Sequence, residues 1–226
     1  MPNWCENRMS IRGPVEKIEK FHRLVQKNGL IETAAPMPSI LNAAEKDWDE
    51  LPKSLVEAFP PRKVEEGGFT SSCWYEWSNQ YRGTKWEECE MEMPNMDDIW
   101  KDPVYEGMAE IEYFYQSAWG PHWRVGMEIA YDWGFNVRHD YIEMEGCPFA
   151  GWTTFDFNNK ENPVIETDYK EEDYDDAYDD PSCSSWMKSN LSTWAEWKAE
   201  WDAEDEEEEE EVEETTEDQN TKEEAA

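Results

Sequence analysis

Positive charge is what this chain has least of: 20 Lys and Arg stand against 55 Asp and Glu in 226 residues, a formal net charge of −35. A phosphate backbone rewards clustered Lys and Arg, so this deficit argues against direct binding to DNA or RNA. Anionic membrane surfaces are opposed for the same reason. Histidine is scarcer still, with only His22, His122 and His139. A zinc enzyme needs several nitrogen or sulfur ligands around an open position. The five cysteines (Cys5, Cys73, Cys89, Cys147, Cys183) are far apart and form no CxxC pair. The expectation is therefore free or buried thiols in a reducing cytoplasm, with neither a metal nor a cofactor. No apolar run approaches the roughly 20 residues of a membrane span. The opening MPNWCENRMS lacks the charged-then-apolar layout of a signal peptide.

Acid is what the chain has in excess, and it is unevenly spread. Residues 156–226 hold 28 of the Asp and Glu residues but five of the Lys and Arg. Like charges repel, and little apolar surface is there to offset chain entropy. The expected organisation is a folded domain over 1–155, an acidic linker over 156–185, a Trp-rich amphipathic helix over 186–205 and a disordered acidic tail over 206–226.

Within the first 155 residues the hydrophobic period changes in a regular way. From Trp4 to Ile11, Cys5, Met9 and Ile11 alternate with Glu6, Arg8 and Ser10, the pattern of a half-buried strand. Gly13-Pro14 turns the chain. Val15, Ile18, Phe21, His22 and Val25 then recur at helical spacing, and Asn28-Gly29 supplies a helix stop. Leu30 to Ala35 reads as a second extended run. The grammar repeats later: Ala109, Ile111, Tyr113 and Tyr115 alternate with Glu110 and Glu112, and Gly120-Pro121 turns the chain. His122, Val125, Ile129 and Trp133 mark a helix face ended by Gly134, and Phe135 to Met144 is extended. Two β-α-β units predict an α+β fold of the ferredoxin-like βαββαβ kind. Between them lies a long insertion, about 37–107, with helices expected near Ile40–Trp48 and Leu51–Phe59. Trp74, Trp77, Tyr81 and Trp86 are its expected anchors on the sheet.

Four stretches, MPNWCENRMSIRG, YRGTKW, YFYQSAWGPHW and EGCPFAGW, together resemble the YubB-type ferredoxin-like family of phage and plasmid proteins. The resemblance spans about residues 1–155. It implies the same fold, a mobile-element origin and a place in the host cell cytoplasm, and it brings no catalytic residues. Where that family commonly has AWxPP, this chain has Ala118-Trp119-Gly120-Pro121-His122.

Candidate sites follow from the rarer residues. Arg82 and Lys85 are conspicuous cations, and Gly83 between them brings backbone N–H groups within reach of an anion. With Trp4, Cys5, Asn7, Thr84 and Trp86 they form one candidate ligand site. The alternative is that Gly83 makes a tight turn over two core tryptophans. His22 is expected to pack, whereas His122 and His139 can meet near Cys147. Glu110, Glu112, Glu143 and Glu145 are either an acid–base set or a solvated face. In the acidic half, Leu191, Trp194 and Trp201 can share a helical stripe with Trp197 on its flank, to pack at home or on a partner. Glu206, Glu207 and Glu208 open a polyanionic run that attracts basic surfaces. The expected function is a non-enzymatic interaction protein of a phage or plasmid, binding a basic host or self protein, including as a nucleic-acid mimic that inhibits a host defence factor. Its partner-binding residues would be Trp194, Trp197, Trp201 and the run from Glu206 to Glu208. The alternative is a small enzyme or nucleotide-binding module near Arg82, Lys85, His122 and His139. RNA stacking on Tyr113 and Tyr115 is disfavoured by the missing basic frame.

Overall fold

The computed structural model describes residues 3–37, 78–79, 82–84, 86–144, 146, 148–156, 158–159, 161–201 and 203. The expected helices near Ile40–Trp48 and Leu51–Phe59, and Trp74, Trp77, Tyr81, Lys85, Cys147, Glu145 and the run from Glu206, lie outside the described residues. The chain divides into two compact units, Met1–Ala177 and Tyr178–Ala226. The first is an α+β unit built on one antiparallel sheet. In chain order it contains β1 (Trp4–Pro14), α1 (Val15–Asn28), α2 (Leu30–Ala34), β2 (Cys89–Glu92), β3 (Trp100–Lys101) and β4 (Met108–Ala118). Then come α3 (Trp123–Trp133), β5 (Asn136–Glu143), β6 (Phe149–Phe155) and β7 (Val164–Lys170); α4 (Tyr174–Asp179) begins in this unit and ends just past its last residue, Ala177. The sheet order is β2-β4-β1-β5-β6-β7, with β3 also paired to β4.

The alternation in β1 sets the two faces of the sheet. It pairs with β4 from Trp4↔Ala118 to Pro14↔Met108, and with β5 on its other side. Cys5, Met9, Ile11, Ala109, Ile111, Tyr113 and Val137 are buried on the face that receives the helices. Helix α1 buries Ile18, Phe21, His22 and Val25 there, and α3 buries Val125, Gly126, Ile129 and Ala130. Phe21 meets Tyr113, Trp133 and Phe135 edge-on at centroid distances of 6.4, 5.1 and 5.8 Å, the geometry ring quadrupoles favour. Gly134, at φ 68°, takes the left-handed position that ends α3.

Gly126 lets α3 approach the sheet closely. A Cβ there would lie 2.8 Å from Phe155 Cε2 and 3.6 Å from Val137 Cγ1, both core atoms. Gly126→Ala should therefore destabilise the protein by about 1–2 kcal/mol, overpacking outweighing alanine's better helix propensity. A lowered urea midpoint checks this; a raised one would mean the ring yields freely.

Three elements differ from the sequence expectation. Leu30–Ala34, read as a strand, is a short helix, because its leading N–H groups are capped by a distant side chain: Leu30 N and Ile31 N donate to the Glu88 carboxylate at 2.6 and 3.1 Å. The sheet also does not stop at residue 155. β7 pairs with β6 from Phe155↔Val164 to Phe149↔Lys170, and α4 follows, so the expected linker over 156–185 contains a strand and a helix. In the second unit residues 185–201 form helix α5. Met187, Leu191 and Trp194 are buried along it, whereas Trp197 and Trp201 are 40% and 47% exposed. The buried stripe ends at Trp194, and Trp201 does not join it. Among the described residues no helix is long and apolar enough to cross a membrane.

Candidate functional site

Strand periodicity puts the chemically versatile side chains of the first unit in one place beneath the helices. Asn7 on β1, Tyr115 and Ser117 on β4 and His139 on β5 share that face, and His122 precedes α3. All are 2% exposed or less. Asn7 Nδ2 donates to Cys5 O at 2.7 Å and to Ser117 Oγ at 2.8 Å, which aims its Oδ1 at His139 Nε2, 2.9 Å away. His139 Nε2 therefore carries the proton. Ser117 Oγ donates onward to Gly120 O at 2.6 Å. His122 Nε2 donates to Trp86 O at 3.1 Å. The two histidines flank the Tyr115 ring, at centroid distances of 5.7 Å for His122 and 6.4 Å for His139.

This centre is closed and electrically neutral. Burial pushes His122 down to about 4, with Arg82 nearby adding to the effect. Burial likewise pushes His139 down to about 3, and His122 disfavours a second charge beside it. Burial raises the Cys5 thiol and the Tyr115 hydroxyl, so neither ionises near neutrality. A general base or nucleophile must reach its substrate; these groups face one another. The His122–His139 encounter anticipated in the sequence is real, and it makes a packed polar core. His22 is packed too, its Nδ1 2.9 Å from the Tyr113 hydroxyl.

The Arg82-Gly83 candidate resolves differently from the anion-site expectation. Arg82 is 2% exposed. Its Nε and Nη2 donate to Ala35 O at 3.0 and 2.9 Å, and its other contacts run to Glu32 at 2.5 Å and Glu87 at 3.4 Å. That guanidinium is a clamp on the end of α2, with no donor edge turned to solvent. Gly83, at φ 93°, is a turn residue whose added Cβ would meet Pro121 O at 3.2 Å. Trp4 and Trp86 pack beside it with ring centroids 6.1 Å apart.

Nor do the strand carboxylates form an acid–base set. Glu143 is buried on the helix side and accepts from Gly146 N at 2.9 Å. Glu110 and Glu112 stand on the opposite face, where Glu110 accepts from Ser10 Oγ at 2.5 Å and Glu112 pairs with Arg8. That open face holds a groove of about 710 Å³ between β2 and β3, created where the chain leaves the edge of β4 after Glu92 and returns at Trp100. Its walls include Glu92, Asp98, Trp100, Glu110, Glu112 and Phe114, and no Lys or Arg among the described residues. Sequence reasoning passed over this feature. The available signal was Phe114, a large apolar side chain that follows Glu110 and Glu112 on the same face of β4.

No family model matches the chain, and no curated protein matches it. The chain is similar to a protein api92 from Yersinia pseudotuberculosis whose crystal structure carries the family-model description DUF1281, with 10% identity and a TM-score of 0.37 over 75% of this chain and 98% of that one.

Proposed function

We propose that this protein is a non-catalytic interaction module whose partner presents a basic surface. The observation that carries the reading is the pairing of a formal charge of −35 with two large aromatic side chains left open on α5, whose sequence continues into the acidic run that begins at Asp202. Trp197 and Trp201 lie one turn apart on α5, with Glu196 and Glu200 beside them. Long-range attraction accelerates encounter with a basic surface but discriminates poorly, since screened charge carries little geometric detail. Exposed tryptophans supply area and shape, the usual currency of an interface anchor. Trp194 is buried, so the open anchors are Trp197 and Trp201.

The strand order β5-β1-β4-β2, with α1 and α3 on one face, supports a ferredoxin-like reading of the first unit, extended by β6 and β7. The YubB-type resemblance and its implied phage or plasmid origin belong to the same proposal. In that setting the partner is a nucleic-acid-binding protein of the host or of the element itself, and imitation of nucleic-acid charge inhibits it. The burial of His122 and His139 and the engagement of Arg82 disfavour the enzyme alternative.

Affinity capture from a cell extract tests this. The full chain should retain proteins with isoelectric points above about 9. Trp197→Ala/Trp201→Ala should release them at every salt concentration, each anchor being worth about 2 kcal/mol. A retained set no more basic than the extract as a whole overturns the reading.

A further inference from the structure

We propose that the groove between β2 and β3 seats two cationic side chains, Arg or Lys, from one extended segment of a basic protein partner. The inference rests on the interaction-module reading and deepens it by naming a second contact and its chemistry. Cross-strand register places an aromatic ring beside a carboxylate at each end of the groove. At one end Trp100 on β3 lies opposite Glu110 on β4; at the other, Glu92 on β2 lies opposite Phe114 on β4. Glu112 stands midway on the same face and Asp98 on the wall. Trp100 and Phe114 are 52% and 37% exposed, large apolar groups set among the carboxylates of the groove wall.

Each end thus offers a ring face for a cation and its alkyl stem, and an anion for its head. Glu112 is already paired with Arg8, which Asp140 also holds, and Asp98 caps its own turn by accepting from Asn95 N at 2.6 Å; Glu92 and Glu110, one at each end, form no ion pair among the described residues. The two ends are separated by four residues of β4, from Glu110 to Phe114, or about 13 Å at the rise of an extended strand. A partner segment lying along the groove in the same extended form would meet both with basic residues four positions apart. A second copy of this chain is a poor occupant, since its net charge is also −35.

Two labelled peptides of identical composition separate geometry from charge: Arg-Gly-Ser-Gly-Arg and Arg-Arg-Gly-Ser-Gly, both with blocked ends. Their binding to the full chain is read by fluorescence anisotropy at about 0.05 and about 0.5 M salt, where the screening length falls severalfold. The spaced peptide should bind about fivefold more tightly than its isomer at the higher salt, as one additional ring–cation contact would give. Trp100→Ala should erase that preference, and Glu92→Gln should reduce it. Equal binding of the two isomers, or a preference that Trp100→Ala leaves intact, overturns the groove. If the isomers bind equally and converting Glu206 to Glu211 to glutamine abolishes both, only the groove falls and the basic-partner reading stands. If neither peptide binds at the lower salt, both fall.

Discussion

Arg82→Ala should lower the stability of the protein by about 3 kcal/mol, among the largest single-residue effects expected here. The loss has two sources. The Ala35 carbonyl gives up both of its guanidinium donors, and a buried side chain of large volume disappears from between α2 and the 82–87 segment. Glu32 and Glu87 are partly exposed and recover water, which keeps the cost below that of stranding a fully buried ion. Arg82→Lys should recover less than half of the loss, since an ammonium cannot reproduce the fork that reaches Ala35 and two carboxylates together. The same variants decide between a clamp and a ligand site. An anion-binding arginine, once removed, leaves the denaturation midpoint in place and weakens anion binding; a clamp does the reverse. Equilibrium urea unfolding with the titration of phosphate into each variant distinguishes them, and an unchanged midpoint for Arg82→Ala would restore the anion site.

Arg82 also shows where the sequence could be read and where it could not. β1, β4, α1 and α3 were legible because each buries mainly one face, so its period of 2 or 3.6 survives in the order of residues; β5 alternates in the same way over its first half, Asn136 to His139. Leu30–Ala34 was misread because LIETA fits either period over so short a span, and the deciding contact comes from Glu88, 58 positions away. β6 offered no alternation to find: Ala150, Gly151, Trp152 and Thr153 are all buried, so both faces are covered. β7 failed in the opposite sense. It lies at the edge of the sheet, largely exposed, and Glu166 and Asp168 made it look like tail. The candidate site divides along the same line. That His122 and His139 can meet was legible from a helix start and a strand, whereas Trp4, Asn7, Arg82 and Trp86 were grouped separately, by residue type. That the region is closed, and that Arg82 points inward, depended on packing that no local pattern carries.

The buried histidines make acid the other large lever on this protein. His122 and His139 are neutral in the fold, pushed down to about 4 and about 3 from an ordinary 6.5, chiefly by desolvation. A histidine depressed in the folded state binds its proton more readily in the unfolded chain. Stability is therefore complete above about pH 6.5 and falls as pH drops toward the folded values. At pH 5 each unfolded imidazole is largely protonated and each folded one still neutral, a difference of about 2 kcal/mol per residue and about 4 kcal/mol for the two. Carboxylates act in the opposite sense. Their general repulsion at −35 eases with acid, but ordinary Asp and Glu titrate near 4, mostly below this window. Glu88, raised by its burial, also gains from protonation and offsets part of the loss. Comparing two proteins removes both contributions. His139→Gln retains an N–H donor for Asn7 Oδ1 and has nothing to titrate, so its unfolding free energy should fall about 2 kcal/mol less than that of the wild type between pH 6.5 and 5. Its stability at pH 8 does not bear on the test; the slope does. Parallel slopes for the two proteins would mean that His139 takes up its proton inside the fold, and that the polar centre beneath α3 opens to water.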